Sequence, residues 1–105
     1  MYVRAIILII TSIRNTEMGD NMEQFVRKFQ QLNGVEAKVV LEHCLFDKQR
    51  FYCSQLQTIN DDERIGLILR DRAIYMYKQN VKVAEVQDSI YKVSDGRLTI
   101  IVNKL

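Results

Sequence analysis

MEQFVRKFQQLNGVEAKVVL, residues 22–41, changes its apolar period part-way along. Met22, Phe25, Val26, Phe29 and Leu32 fall at i, i+3, i+4, i+7 and i+10, the single stripe of an amphipathic helix. Glu23, Gln24, Arg27, Lys28, Gln30 and Gln31 make the opposite, polar face. Asn21 with Gln24 has capping-box spacing, and Asn33-Gly34 is a stop signal because glycine tolerates the left-handed conformation. The spacing predicts a helix over 22–33. From Val35 the period becomes two: VEAKVVL (35–41) alternates and is rich in β-branched residues, the pattern of a strand. A helix this short is marginal alone, so its Phe/Leu stripe must lie on the β-structure that follows.

Downstream the strand pattern repeats between polar breaks. Asp47-Lys48-Gln49 reads as a break and RFYCSQLQTI (50–59) as a strand, with Tyr52, Ser54 and Leu56 on one face. Asn60-Asp61-Asp62-Glu63 is an acidic turn, and Ile65–Leu69 and Ala73–Tyr77 are apolar runs either side of Arg70-Asp71-Arg72. Lys78-Gln79-Asn80 is another turn. Val81, Val83 and Val86 continue strand-like, Asp88-Ser89-Ile90 reads as a short helical turn, and Asp95-Gly96 precedes a last strand, RLTIIV (97–102). The sum is a mainly β chain with one N-terminal α-helix and five or six short strands joined by hairpin-length connections. That layout predicts a small bent antiparallel barrel of the Sm-like or SH3-like kind. A small barrel leaves strand edges open, which predicts homo-oligomerisation through those edges.

Upstream, Tyr2–Ile13 (YVRAIILIITSI) is apolar but far short of the ~20 residues of a membrane span, and Arg4 interrupts it. The residues after it make a poor signal-peptide cleavage site, and a buried strand is a further reading. A third comes from the genetic code: Met18-Gly19-Asp20-Asn21-Met22 is encodable with GGAG shortly before the Met22 codon, the layout of a bacterial ribosome-binding site and start. On that reading residues 1–21 are an N-terminal extension from an overlong gene prediction, and 22–105 is the single domain. Removing them deletes Arg4, Arg14, Glu17 and Asp20 and leaves the net charge unchanged.

With 105 residues the chain is one domain, and 48% hydrophobic with 27% charged residues excludes global disorder. The net charge of +2 does not by itself announce a nucleic-acid partner, although a modest total can hide a basic face. Cys44 and Cys53 are too few for a disulfide scaffold. Their separation suits neighbouring hairpin strands, but free cysteines in a reducing, cytoplasmic compartment are the better reading. His43 beside Cys44 is not read as a nucleophile pair, because adjacent strand residues point to opposite faces.

Three stretches resemble the Sm-like family over residues 22–105. Arg50–Asn60 looks like the second strand of the first Sm signature, with Ser54 for the usual Gly, Leu56 for the aliphatic residue, Ile59 for the aromatic and Asn60 for the Asp. Ile65-Gly66-Leu67-Ile68-Leu69 resembles the following apolar strand. Val86–Val93 has the apolar spacing of the second signature as it occurs in the bacterial host-factor RNA chaperone. The resemblance implies a ring-forming, non-enzymatic module that binds RNA on a loop-lined face. Its departures fall on the RNA pocket. The uridine-contacting Asn falls near Gly66 or Arg64, the Lys-His pair is replaced by Gln87-Asp88, and the Arg-Gly pair is at best Asp95-Gly96.

Lys48, Arg50, Arg64, Lys92 and Arg97 lie beside predicted turns and, if gathered on one rim, make a phosphate-binding patch. Asn60, Arg64, Lys92 and Arg97 are the expected nucleic-acid contacts, and Phe51, Tyr52, Tyr75, Tyr77 and Tyr91 are candidates for base stacking. Arg70-Asp71-Arg72 reads as a bend that satisfies its own charges. Asp61-Asp62-Glu63 reads as a solvated turn and not a metal site. No phosphate loop or nucleophile constellation is present, so no catalytic residue, cofactor, membrane partner or small-molecule substrate is expected. The competing expectation is a protein-interaction or scaffold domain that uses the same edges and binds no nucleic acid.

Overall fold

Alternation along the strands sorts their side chains between a shared core and two outer faces. The computed structural model describes residues 16–105, with side chains from Met22 onward. The readings of Tyr2–Ile13 lie outside the described residues. Helix α1 (Thr16–Gln30) is followed by β1 (Ala37–His43), β2 (Phe46–Cys53), β3 (Gln57–Asn60), β4 (Arg64–Leu69) and β5 (Arg72–Tyr77). A single 3-10 turn at Lys78–Asn80 leads to β6 (Val83–Gln87), β7 (Ile90–Ser94) and β8 (Leu98–Lys104). The strands form two antiparallel sheets, ordered β2-β1-β8-β7-β6 and β3-β4-β5.

Among the described residues the mainly β expectation with one helix holds, but no ladder closes the strands into one barrel. The chain leaves the first sheet at Ser54–Leu56, where the predicted 50–59 strand breaks, and returns through the 3-10 turn. At that corner Leu56 is buried while Tyr52 and Ser54 are exposed, so the three do not share a face. The Leu56 carbonyl accepts from the Gly34 N–H (2.6 Å) and its own N–H donates to the Val35 carbonyl (2.8 Å). The helix exit is thereby tied to the corner between the sheets. Gly34 makes this exit with φ +89°, where any side chain would be strained.

The described helix runs from Thr16, so Asn21 lies within it and not at its N-cap position. Its predicted stripe is nevertheless the face it buries. Met22, Phe25, Phe29 and Leu32 join Ala37, Val39, Leu41, Val93, Ile100 and Val102 of the first sheet and Ile65, Leu67, Leu69 and Met76 of the second in one core. Phe25 and Phe29 stack at 5.7 Å, and α1 lies chiefly against β3 and β6. Asp47-Lys48-Gln49 is strand, not a break; the β1–β2 turn falls at Cys44-Leu45. Asp88-Ser89 is a hairpin turn with Asp88 at φ 56°, not a helical turn.

Candidate functional site

Two strands from different sheets approach each other where the core ends. On β2, Gln49, Phe51 and Cys53 point to the core side, because their β1 partners are the buried Leu41, Val39 and Ala37. Opposite them the β4–β5 hairpin ends in a two-residue turn, Arg70-Asp71. The space between β2 and this tip is a cleft of about 430 Å³ lined by Arg50, Arg70 and Arg72 together with Gln49, Phe51, Leu69 and Ile74. The Arg70 guanidinium lies over the Phe51 ring at 5.3 Å, a cation–π contact across the two sheets. Among the described residues none of the three arginines makes an ion pair. By the same alternation Arg50 points to the other face of β2 and borders the cleft at its edge. Arg70 and Arg72, without ion-pair partners among the described residues, are the cations of the hairpin side, and positive charge there is the electrostatic condition for holding an anion.

The turn that presents Arg70 is strained. Arg70 (φ 50°) and Asp71 (φ 68°) both occupy the left-handed region, as a tight hairpin of this kind requires. Glycine or asparagine fills such positions at lower cost; a left-handed arginine costs ~1–2 kcal/mol. A strained cation at the mouth of a cationic cleft is the pattern of a residue kept for what it contacts.

The residues expected from sequence are placed as follows. Asn60, at the end of β3, donates from Nδ2 to Gln30 Oε1 (3.4 Å), and its Oδ1 is buried without a partner. Arg64 opens β4 and is held by Asp61 through Nε–Oδ2 (2.8 Å) and Nη2–Oδ2 (2.7 Å), with its guanidinium 4.9 Å from the Tyr75 ring. These contacts, led by the Arg64 side chain and then the Arg64 and Glu63 N–H groups, hold the Asp61 carboxyl down at about 2. The acidic turn is therefore an organised hairpin loop that engages Arg64. Lys92 lies mid-β7 between Glu85 and Ile101. Desolvation raises the Glu85 carboxyl and Lys92 opposes the rise. Arg97 sits at the β7–β8 turn, where its carbonyl accepts from the Cys44 N–H (3.0 Å). The structure brings Asn60 and Arg64 to one hairpin of the second sheet, while Lys92 and Arg97 belong to the first.

Of the other expected cations, Lys48 pairs with Glu42 (3.1 Å) and Arg50 borders the cleft. Of the aromatics, Phe51 forms the cleft floor. Tyr52 points outward and donates to Glu36, which raises its phenol above the usual value. Tyr75 and Tyr77 meet edge to face at 5.8 Å on the exposed side of the second sheet, and Tyr91 packs against the core.

Arg70 and Arg72 were not legible as site residues. Alternating charge suggested a self-neutralised bend, whereas Asp71 pairs with neither arginine. The available signal was a two-residue break between apolar runs containing neither Gly nor Asn. The two cysteines are free: Cys44 lies in the β1–β2 turn, while Cys53 faces Ala37 at the far end of that hairpin. His43 Nδ1 accepts from the Leu45 N–H (3.0 Å), and the Cys44 sulfur stands 3.9 Å away. The turn brings these neighbours closer than strand alternation predicts. Among the described residues no group of His, Cys, Asp and Glu is placed to hold a metal ion. No described helix is long and apolar enough to cross a membrane.

The chain matches no family model, no curated protein and no solved structure. Its functional reading rests on the cleft.

Proposed function

We propose that this protein is a non-enzymatic module that binds single-stranded RNA, taking the phosphate backbone into the cleft between β2 and the β4–β5 turn. The observation that carries the reading is a cleft between two sheets that Arg70 and Arg72 line from the hairpin side and Arg50 borders on the β2 side, none of them with an ion-pair partner among the described residues. Guanidiniums match phosphate oxygens in a bidentate fork, and Phe51 beneath Arg70 offers an aromatic face beside the charge. The Sm-like resemblance, with its barrel and its ring, belongs to the same proposal. Helix-first order and the antiparallel succession of strands support it, as do the outer edges of β2 and β6, which have no neighbouring strand among the described residues.

The test is fluorescence anisotropy with a labelled 10-nucleotide RNA across a salt series. Three phosphate contacts on a single strand give a slope of log K against log salt of about −2, and each Arg→Gln change at 50 or 72 reduces it by about 0.7. Arg70→Asn is the most informative variant. Asparagine suits the left-handed turn, so stability is kept or raised while affinity falls. A deoxy strand and an RNA duplex of the same length serve as comparisons. Absence of RNA binding at low salt, or binding indifferent to all three changes, overturns the proposal. Light scattering on the same sample reads the oligomeric state.

A further inference from the structure

Phe51, Leu69 and Arg70 line a second cavity on the other side of the Phe51–Arg70 stack, with a volume of about 280 Å³. Its chemistry differs from that of the arginine cleft. Ser54 and Gln55 at the corner after β2, Gln57 at the start of β3 and Asp71 at the hairpin tip also line it, bringing three neutral hydrogen-bonding residues and one acid to its wall. Asp71 has no ion-pair partner among the described residues, although Arg70 and Arg72 are its chain neighbours. Arg70 borders both cavities, while Arg50 and Arg72 line only the first and Asp71 only the second.

We infer that this second cavity is a nucleobase subsite that selects bases carrying an amino group over uracil. The inference rests on the RNA-binding reading and adds base choice to it. A strand whose phosphates occupy the arginine cleft has its neighbouring base at the Phe51–Arg70 stack, directly before the second cavity. An ionised carboxylate only accepts hydrogen bonds, so it rewards a base edge that donates. Cytosine presents N4–H₂, adenine N6–H₂ and guanine N2–H₂. Uracil turns carbonyl oxygens to the same positions and offers a single N–H between them, so Asp71 faces lone pairs. Gln55 and Gln57 each donate and accept, which suits the remaining positions of an amino-bearing base.

The experiment compares 10-nucleotide oligocytidine and oligouridine, both pyrimidine strands, by anisotropy at pH 7 and one salt concentration. The full chain and its Asp71→Asn variant are measured side by side. Asparagine is tolerated at positive φ and keeps the turn, but its amide both donates and accepts. The wild type binds oligocytidine about tenfold more tightly, within the discrimination one well-placed contact supplies. In Asp71→Asn the ratio falls to about twofold or less, while the salt slope set by the arginines stays the same. Equal binding of both strands by the wild type, with binding still lost on arginine substitution, overturns the base subsite and leaves the RNA reading standing. A cytidine preference unchanged in Asp71→Asn also overturns it. Failure of both strands to bind overturns both readings.

Discussion

Gly66 and Gly34 predict two different costs for the same change, and the difference tests the packing described for the second sheet. Gly66 faces Tyr75 across β4 and β5. A Cβ built on it would stand 2.0 Å from the Ile74 carbonyl oxygen and 2.5 and 2.7 Å from the Tyr75 Cα and Cβ. The first gap is roughly 1.4 Å short of ordinary contact, and the two nearest obstructing atoms are backbone with the third a Cβ fixed to it, so no side-chain rotation relieves the clash. Gly66→Ala must therefore part the two strands. Overpacking costs ~1–3 kcal/mol, and each ladder hydrogen bond stretched beyond use costs ~1 kcal/mol more. The total is about 3–5 kcal/mol, a large part of the ~5–15 kcal/mol that holds a domain together. Gly34→Ala meets nothing within 4 Å and suffers only from its φ of +89°, a cost of about 1–2 kcal/mol. Urea unfolding followed by circular dichroism separates them. With a slope of ~2 kcal/mol/M, the midpoint falls by about 2 M for Gly66→Ala and by under 1 M for Gly34→Ala. A Gly66→Ala midpoint no lower than that of Gly34→Ala would refute the close approach of β4 and β5.

Phe29→Ala removes a fully buried ring stacked on Phe25 and is expected to cost ~3–5 kcal/mol in the same urea assay, which checks that α1 is integral to the core. Asp61 has its pKa lowered from 3.8 to about 2 in the folded protein. Its contribution to stability is therefore present above about pH 4 and is lost as pH falls through about 2. Urea midpoints measured from pH 5 down to pH 2 should fall less steeply in Asp61→Asn than in the wild type. Tyr52 ionises above the usual phenol value, chiefly through its hydrogen bond to Glu36. Glu36→Gln should move that ionisation back towards 10, read by ultraviolet titration against Tyr52→Phe.

The helix stripe was legible because helical period is local: Met22, Phe25, Phe29 and Leu32 are each read from their spacing and are each buried. The start of that helix was not, because Thr16–Asn21 carries a glycine and no apolar stripe. Turn positions failed where the turn residues were unusual. Cys44-Leu45 and Arg70-Asp71 reverse the chain without Gly, Asn or Pro, whereas Asp47-Lys48-Gln49 looks like a break and is strand. The cleft was illegible for a different reason. Arg50 lies on a strand of the first sheet and Arg70 in the β4–β5 turn of the second, so only tertiary packing brings them to one cleft.

In the five-stranded sheet β1 lies between β2 and β8, with Val39 facing both Phe51 and Val102. During synthesis on the ribosome the β1–β2 hairpin and the whole second sheet emerge before Leu98–Lys104 does. Through that interval β1 presents an unpaired, apolar edge to every other nascent chain nearby. The last ladder to form joins segments far apart in the chain, an ordering that slows folding. Slowing translation before codon 98 would lengthen this exposure, and the yield of folded protein would then depend on the timing of synthesis as well as on the stability of the finished fold.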